Sequence, residues 1–492
     1  MNLINETFIN ITGKVKGNSL KARSTRGVTL LSVGIVIERI LRMARNMILA
    51  RILAPDAFGV MAIILTASTI FEALTDIGVR QSVIQNKEGA EPDYINVAWW
   101  FQGLRGIVLY SIGILAAPWV AYFYKMPDLL PLLRLALLGL VFNSLMSPRA
   151  YVLEKRLQFG KLVLLTQGSG VLSTLFTIGL AFYLKSILAL VIGLVAESAI
   201  RCVMSFVLCP FRPRLSIHRG SLSNLLQFGQ GMFGLALLTA VGRQTDIMVL
   251  GKVVSENMLG MYFLAFQLAS QPALMFDRIV GGVLLPAFAE KQDNKESIRR
   301  AVLAIGSTAL LFGIPLLAFV TFFARPILSL VYGSQYGSVS VPFILLCLWG
   351  LICTHGTILS SVFIGVGLPH LHRRVVALRV VILMSLIYPA IIFWGLSGAA
   401  MAVLATYLLT LIVSLIWMRK IINLSMNEYI MSWLPGLWIS LIVVVPLILL
   451  RYLGATGPMF KMVVGIISCL VAWSTGLLLL YRSRFKQACF SR

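Results

Sequence analysis

The chain has 492 residues, of which 59% are hydrophobic and 12% are charged, whereas soluble domains average about 45–50% apolar and about 25% charged residues. A soluble fold of this length needs far more polar surface, so the composition excludes a cytosolic enzyme, a nucleic-acid-binding protein and a secreted disulfide-rich protein. It predicts a polytopic membrane protein. The 42 lysines and arginines exceed the 18 acidic residues, which leaves a net charge of +24.

The hydropathy pattern predicts an all-α membrane protein with fourteen transmembrane helices, since each crossing needs about 20 apolar residues. The predicted spans are 27–50, 57–79, 95–123, 129–152, 162–183, 187–209, 226–252, 258–286, 301–323, 338–366, 376–394, 398–418, 433–451 and 461–481. The connections are short, and none has room for a soluble domain. Residues 1–26 lack the apolar stretch of a cleavable signal peptide, so we expect them to form a cytoplasmic N-terminal segment.

The positions of the basic residues predict which way the chain crosses the membrane. If the N-terminus is cytoplasmic, most lysines and arginines outside the spans fall on the cytoplasmic side, as the positive-inside rule requires. Both termini are then cytoplasmic, and residues 482–492 form a basic cytoplasmic tail. Several arginines remain inside the predicted spans, and these need a separate explanation.

An internal repeat relates the first half of the chain to the second at an offset of 201 positions. LARILAPDAFGVMA at 49–62 aligns with LGKVVSENMLGMYF at 250–263, so that Gly59 falls on Gly260 and, further back, Arg42 falls on Arg243. The repeat predicts two parallel six-helix lobes, related by a pseudo-twofold axis along the membrane normal, with a substrate path between them. The predicted lobes cover 27–209 and 226–418, joined by a cytoplasmic linker at 210–225. The last two spans, within 433–481, are either a lipid-facing appendage or a groove for an apolar tail.

The first span carries an unusual number of charges, namely Glu38, Arg39, Arg42 and Arg45. A charge at the bilayer centre costs about 3 kcal/mol on insertion scales, so such residues face a partner or a cavity. The i,i+4 spacing of Glu38 and Arg42, like that of Glu197 and Arg201, suits ion pairs within one helix. We favour that interpretation for Glu197–Arg201. In the first span arginines outnumber the glutamate, which favours an anionic ligand such as a phosphate or carboxylate.

Signals of catalysis or metal binding are weak in this sequence. The six cysteines form no CxxC pair, and no Walker motif occurs, so we expect neither a metal, a cofactor nor ATP hydrolysis. His355 lies within a predicted span, where a hydrogen-bonded packing residue is favoured over a protonatable element. The sequence therefore predicts a transporter and no enzyme.

Two segments resemble a known family. LARILAPDAFGVMAIILTASTIFEALTDIGVRQSVIQ at 49–85 and YVLEKRLQFGKL at 151–162 are similar to Wzx-like polysaccharide transporters of the multidrug/oligosaccharidyl-lipid/polysaccharide (MOP) exporter superfamily. The resemblance implies a flippase of the bacterial inner membrane that moves polyprenyl-diphosphate-linked oligosaccharide repeat units by alternating access, for exopolysaccharide, capsule or O-antigen synthesis. It also implies contact with membrane lipid, and leaves open an association with a polysaccharide polymerase or with chain-length and export proteins.

The same resemblance implies a cationic substrate cavity. This role falls on Arg42, Arg45, Arg243 and Arg278, which would bind the diphosphate. Coupling to an ion gradient is expected of the superfamily, and the candidate carboxylates are Glu72, Asp76 and Asp246.

Two other functions stay open at this point. An ion-coupled multidrug exporter of the same superfamily would have an excess of acids in its cavity, the reverse of the first span. An integral-membrane polymerase or ligase of the same pathway would carry a large outer loop with paired acids or histidines, and no such loop is visible in the sequence.

Overall fold

The computed structural model describes residues 20–75, 78–156, 158–214, 218–232, 235–452 and 457–490. These residues are almost entirely helical, and no strand occurs among them. The helices are α1 Leu20–Ile52, α2 Pro55–Leu74, α3 Val79–Gln85, α4 Pro92–Tyr124, α5 Leu129–Ser144, α6 Arg149–Lys155, α7 Phe159–Val163, α8 Ser169–Leu184, α9 Ile187–Leu208, α10 Arg219–Met232, α11 Leu235–Val253, α12 Glu256–Phe276, α13 Gly282–Glu290, α14 Lys295–Tyr332, α15 Ser340–Gly365, α16 Pro369–Ile422, α17 Met426–Met431, α18 Leu434–Tyr452 and α19 Pro458–Phe490.

Within the described residues, ten helical segments are long and apolar enough to cross a membrane. They are Pro55–Leu74, Pro92–Tyr124, Gly160–Leu184, Ile187–Leu208, Glu256–Phe276, Lys295–Tyr332, Ser334–Gly365, Pro369–Ile422, Met426–Leu450 and Phe460–Leu479. An eleventh is the pair α5 and α6, which is bent by 59°. The predicted all-α membrane fold is thus confirmed, whereas the number fourteen stays a prediction.

Several predicted spans are interrupted in the structure. The span predicted at 129–152 is the bent pair α5 and α6. A π-helical turn, Leu164–Gly168, joins α7 to α8, and a second one, Asp277–Gly281, joins α12 to α13 shortly after Pro272. Single π-helical turns inside helices often mark functional positions.

The longest helix, α16, has 54 residues and is broken at Gly395, whose φ of 57° and ψ of −135° are not helical. Only glycine adopts this backbone conformation without strain. A Cβ at Gly398 would lie 2.5 Å from the carbonyl carbon of Ala390, so the two halves of α16 approach closely just beyond the break. The break falls between the spans predicted at 376–394 and 398–418.

The chain divides into two compact units, residues 1–264 and 265–492. The first unit includes α11 and the start of α12, which the repeat assigns to the second predicted lobe. The physical reason is that α11 packs along α2. Thr66 on α2 also donates a hydrogen bond to the side-chain oxygen of Gln244 on α11, at 3.1 Å.

Two glycines allow a close helix crossing in the first unit. A Cβ at Gly59 would lie 2.8 Å from the carbonyl carbon of Glu256, and closer still to its oxygen. A Cβ at Gly260 would lie 2.7 Å from the carbonyl carbon of Pro55, again with the oxygen closer. Helices α2 and α12 therefore touch backbone to backbone, which only small residues permit.

In the second unit, α18 and α19 pack against α14. Leu311, Phe323, Val443, Cys469 and Ala472 form a buried cluster among the three helices. Glycines on α18 and α19 allow the close approach, because Cβ atoms there would meet the backbone or side chains of α14. The last two helices are thus a packed part of the second unit.

Candidate functional site

Helices α1 and α9 bring together the charges that the sequence singled out. Arg42 donates from Nε to Glu38 Oε1 at 2.8 Å, which is the i,i+4 pair within α1. The same guanidinium donates from Nη2 to Glu197 Oε1 at 2.6 Å and from Nη1 to Glu197 Oε2 at 3.3 Å. Arg42 therefore forms a two-pronged contact with a carboxylate that lies 155 residues further along the chain.

Glu197 is shared between two arginines. Arg201, one turn further along α9, donates from Nη2 to the same Oε1 atom at 2.7 Å. The side chains of Glu38 and Glu197 are 11% and 13% exposed, whereas those of Arg42 and Arg201 are 25% and 28% exposed. The acids are therefore held inside the protein, and the arginines keep part of their surface accessible.

Small residues on α8 make room for this group. A Cβ at Gly170 would lie 3.6 Å from Arg42 Nη2 and 3.7 Å from Glu38 Cγ, so α8 passes directly beside the ion pair. Ser169 Oγ accepts a weak hydrogen bond from Arg201 Nε at 3.5 Å. The site is thus formed by α1, α8 and α9, all within the first unit.

Arg45 adds a further cation to this group. It lies on the same face of α1 as Arg42, and its Nε atom is buried without a hydrogen-bond partner among the described residues. The five residues Glu38, Arg42, Arg45, Glu197 and Arg201 together carry a formal charge of +1. We call these five residues the cationic cluster. A net positive charge on partly buried side chains is costly unless an anion neutralises it.

The structure forms both ion pairs that the i,i+4 spacing suggested. For Glu197–Arg201 this pairing was the favoured interpretation. For Glu38–Arg42 it was the less favoured one, since the excess of arginine in the first span pointed to an external anion. The sequence could not show that Glu197 supplies the second carboxylate to Arg42, because nothing in its pattern links α1 to α9.

The two site residues predicted on α11 have different surroundings. Arg243 is exposed, and no ion pair within the described part of the chain involves it. Asp246 is buried, 3% exposed, and accepts a hydrogen bond from the Tyr262 hydroxyl at 3.1 Å. The sequence match of Arg243 to Arg42 is therefore not accompanied by a matching set of partners.

The remaining predicted site residues lie elsewhere. Arg278 is exposed on the π-helical turn of the second unit, next to Asp277, which accepts a hydrogen bond from Thr357 at 3.3 Å. Glu72 is exposed near the end of α2, and Asp76 lies outside the described residues.

Two other arginines within predicted spans have structural partners. Arg105 donates to the carbonyl of Glu72 at 2.6 Å and to Thr75 Oγ1 at 2.8 Å, which satisfies the exposed carbonyl end of α2. The guanidinium of Arg379 stacks over the ring of Tyr407, with its central carbon 4.1 Å from the ring centroid. These two side chains need no ligand to explain their position.

The contacts of His355 are those of a hydrogen-bonded packing residue, the interpretation that the sequence favoured. It is fully buried, its Nδ1 lies 2.5 Å from the hydroxyl of Tyr429, and its ring stacks on Trp433 at a centroid distance of 5.6 Å. These contacts join α15 to α17 and to the residues that precede α18. No group of three metal-binding side chains occurs within the described residues.

The long apolar helices define a multi-pass membrane protein. A family model described as polysaccharide biosynthesis protein matches residues 48–341, so the chain belongs to that family. The chain is 24% identical to the lipopolysaccharide biosynthesis protein WzxC of Escherichia coli K12, over 85% of each chain. It is 26% identical to the amylovoran biosynthesis protein AmsL of Erwinia amylovora, over 58% of this chain and 72% of AmsL.

Solved structures share the fold at low sequence identity. The lipid II flippase MurJ, in an inward closed conformation, superposes with a TM-score of 0.76 at 14% identity and covers 93% of this chain and all of its own. A multidrug resistance transporter of the MATE family superposes with a TM-score of 0.61 at 13% identity and covers 81% of this chain and 98% of its own. Both therefore share the all-helical fold of this chain.

Proposed function

We propose that this protein is a flippase that moves a polyprenyl-diphosphate-linked oligosaccharide repeat unit across the bacterial inner membrane by alternating access, for exopolysaccharide, capsule or O-antigen synthesis. The observation that carries the proposal is the net positive charge of the cationic cluster. The polysaccharide names of its relatives and the lipid-linked cargo named for MurJ support the same substrate class.

The diphosphate binds at Arg42 and Arg45 in this proposal. Arginine presents a planar fork of N–H donors that matches a phosphate as well as it matches a carboxylate. Glu38 and Glu197 accept hydrogen bonds from all three nitrogens of the Arg42 guanidinium, and 25% of the Arg42 side chain stays exposed. The unpartnered Nε of Arg45 and the surplus charge of the cluster then favour a dianion over a neutral lipid.

In the same proposal, Arg243 and Arg278 contact the diphosphate at later steps of its transport. Both are exposed, so neither has a described carboxylate to displace before it contacts the diphosphate. Proton or cation coupling, if the chain uses it, falls on Glu72, Asp76 or Asp246. Asp246 is the candidate best supported by its surroundings, because it is a buried carboxylate that accepts a hydrogen bond from the Tyr262 hydroxyl.

A multidrug exporter is the second candidate, because the fold is shared with MATE transporters. The charge of the cluster decides between them. A site for cationic drugs needs an excess of acids, whereas here three arginines surround two glutamates. A membrane polymerase or ligase has less support still, since the sequence shows no large outer loop with paired acids or histidines.

We also propose fourteen membrane crossings, both termini in the cytoplasm and the two predicted lobes. Helix α16 supports the count, because its 54 residues would extend about 80 Å if straight, far beyond a hydrocarbon core of about 30 Å. The reciprocal contact of Gly59 with residue 256 and of Gly260 with residue 55 supports the pseudo-twofold axis, since the 201-residue offset relates 59 to 260 and 55 to 256 and so converts one contact into the other. The lobe boundaries and any polymerase or export partner are part of this proposal.

Deletion of the gene, followed by identification of the polymer that disappears, tests the function directly. Plasmid-borne copies of the gene, each with one substitution, then test the role of the cationic cluster. Arg42→Ala and Arg45→Ala abolish export of that polymer, while Arg373→Gln, an exposed arginine outside the cluster, restores it. Membrane levels of each variant are measured on blots. Full export with both alanine variants at normal levels would contradict the proposed site.

A further inference from the structure

A second cationic site lies at one end of the first unit, away from the cationic cluster. The beginnings of α4 and α6 and the segment that follows α9 line a half-open cavity of about 370 Å³. Its lining includes Pro92, Asn96, Arg149, Phe211, Arg212 and Arg214. The cavity is large enough to hold a phosphate with the first atoms attached to it.

Hydrogen bonds to the backbone hold this cavity in shape. The side-chain amide of Asn96 accepts from the backbone N–H of Arg214 at 2.8 Å and donates to its carbonyl at 2.9 Å. The Trp100 indole donates to the same carbonyl at 2.8 Å, and Arg149 Nη1 donates to the carbonyl of Pro210 at 2.5 Å. Because three side chains fix the segment at 210 and 214, the site is built before any ligand arrives.

The charges of this cavity lack a partner of opposite sign. Arg149, Arg212 and Arg214 are all exposed, and none takes part in an ion pair within the described ranges. Glu91 and Asp93 flank Pro92 at the start of α4, but neither lines the cavity. Three guanidinium groups around one cavity select an anion with several acceptor oxygens, such as a phosphate.

Aromatic side chains indicate the depth of the cavity in the membrane. Trp99 and Trp100 contact each other edge to face at 5.1 Å, and Trp99 also contacts Phe211 at 6.1 Å. Tryptophans concentrate at the level of the lipid headgroups. Helix α4 has 33 residues, about 50 Å, so its first turns extend beyond a hydrocarbon core of about 30 Å.

We propose that this cavity binds the phosphate of an anionic phospholipid from the leaflet that borders it. The guanidinium groups hold the phosphodiester, and Phe211 and Pro92 contact the glycerol. Basic pockets between transmembrane helices on the cytoplasmic side commonly take such headgroups. The assignment stands independently of the proposed transport function, although a substrate diphosphate or free pyrophosphate shares the same chemistry.

Native mass spectrometry of the delipidated full-length protein tests the assignment. Phosphatidylglycerol, phosphatidylcholine and inorganic pyrophosphate are titrated separately. We expect one phosphatidylglycerol to bind in preference to phosphatidylcholine. The double variant Arg212→Gln/Arg214→Gln binds it about 30-fold more weakly, since each basic residue contributes about 1 kcal/mol near an anionic surface. The control Arg373→Gln/Arg374→Gln removes two exposed charges elsewhere and leaves the affinity unchanged.

Three outcomes would overturn the proposal. The double variant could bind phosphatidylglycerol as tightly as the natural protein, which would place the lipid elsewhere. Equal retention of phosphatidylcholine would show that the charge of the headgroup is not recognised. Pyrophosphate binding that the double variant loses, without preferential binding of phosphatidylglycerol, would assign the cavity to a soluble anion or to the substrate.

Discussion

Replacement of Gly59 by alanine tests the contact between α2 and α12. The added Cβ would lie 2.8 Å from the carbonyl carbon of Glu256, whereas carbon atoms normally approach to about 3.5–4.0 Å. The helices must therefore separate by roughly 1 Å. Overpacking of this kind costs about 1–3 kcal/mol, and we expect the upper end because the obstacle is backbone. Alanine gains about 1 kcal/mol in helix propensity, so the net loss is about 2 kcal/mol.

The assay is unfolding of the purified protein in detergent, with Gly179→Ala as the matched control. Gly179 also lies within a helix, and a Cβ there meets nothing within 4 Å, so that variant keeps or gains stability. Gly260→Ala meets the carbonyl carbon of Pro55 at 2.7 Å and loses a similar amount. Because one separation of the helices relieves both clashes, the double variant loses clearly less than the two single losses combined.

This double-variant cycle carries the decisive result. Additive losses would mean that Gly59 and Gly260 act at independent places and that the reciprocal contact is not a single crossing. A Gly59→Ala variant as stable as the Gly179→Ala control would refute the packing argument itself. Polymer export measured in parallel shows whether the crossing also matters for transport.

Three further predictions concern single residues. Glu197→Gln removes the carboxylate shared by Arg42 and Arg201 and costs about 2 kcal/mol of stability, less than the roughly 3–5 kcal/mol of a fully buried pair. In a thermal-shift assay, pyrophosphate stabilises this variant more than it stabilises the natural protein. An unchanged response to pyrophosphate would argue against diphosphate binding at the cluster. Arg42→Lys lowers polymer export about tenfold, since one ammonium cannot replace the guanidinium fork between Glu38 and Glu197. Normal export by this variant would show that a point charge is sufficient at this position. Gly395→Ala strains the break in α16, which costs at least about 1 kcal/mol, and a melting temperature equal to that of the natural protein would contradict this backbone conformation.

Much of the fold follows from local sequence features. Runs of about 20 apolar residues predict membrane-crossing helices because lipid leaves backbone groups no other partners. The i,i+4 spacing favoured the Glu197–Arg201 pair and allowed the Glu38–Arg42 pair for the same local reason, since one helical turn brings these side chains together. The resemblance at 49–85 lies largely within the segment that the family model matches.

Other features depended on contacts that hydropathy does not encode. The bend between α5 and α6 and the two π-helical turns change the direction or the winding of a helix while its residues stay apolar. Hydropathy averaged along the sequence does not detect such changes in helix direction or winding. The bend within the span predicted at 129–152 is an example.

The sequence by itself determined that this protein crosses a membrane many times, that its first span holds more cations than it can pair internally, and that two segments repeat at an offset of 201 residues. Only the tertiary structure decided that Glu197 neutralises Arg42, that Gly59 and Gly260 meet at one helix crossing, and that Asn96 fixes Arg214 beside a basic cavity. Each of these contacts joins residues more than 100 positions apart. Helical periodicity relates only neighbours along one helix, so the packing of different helices had to supply the rest.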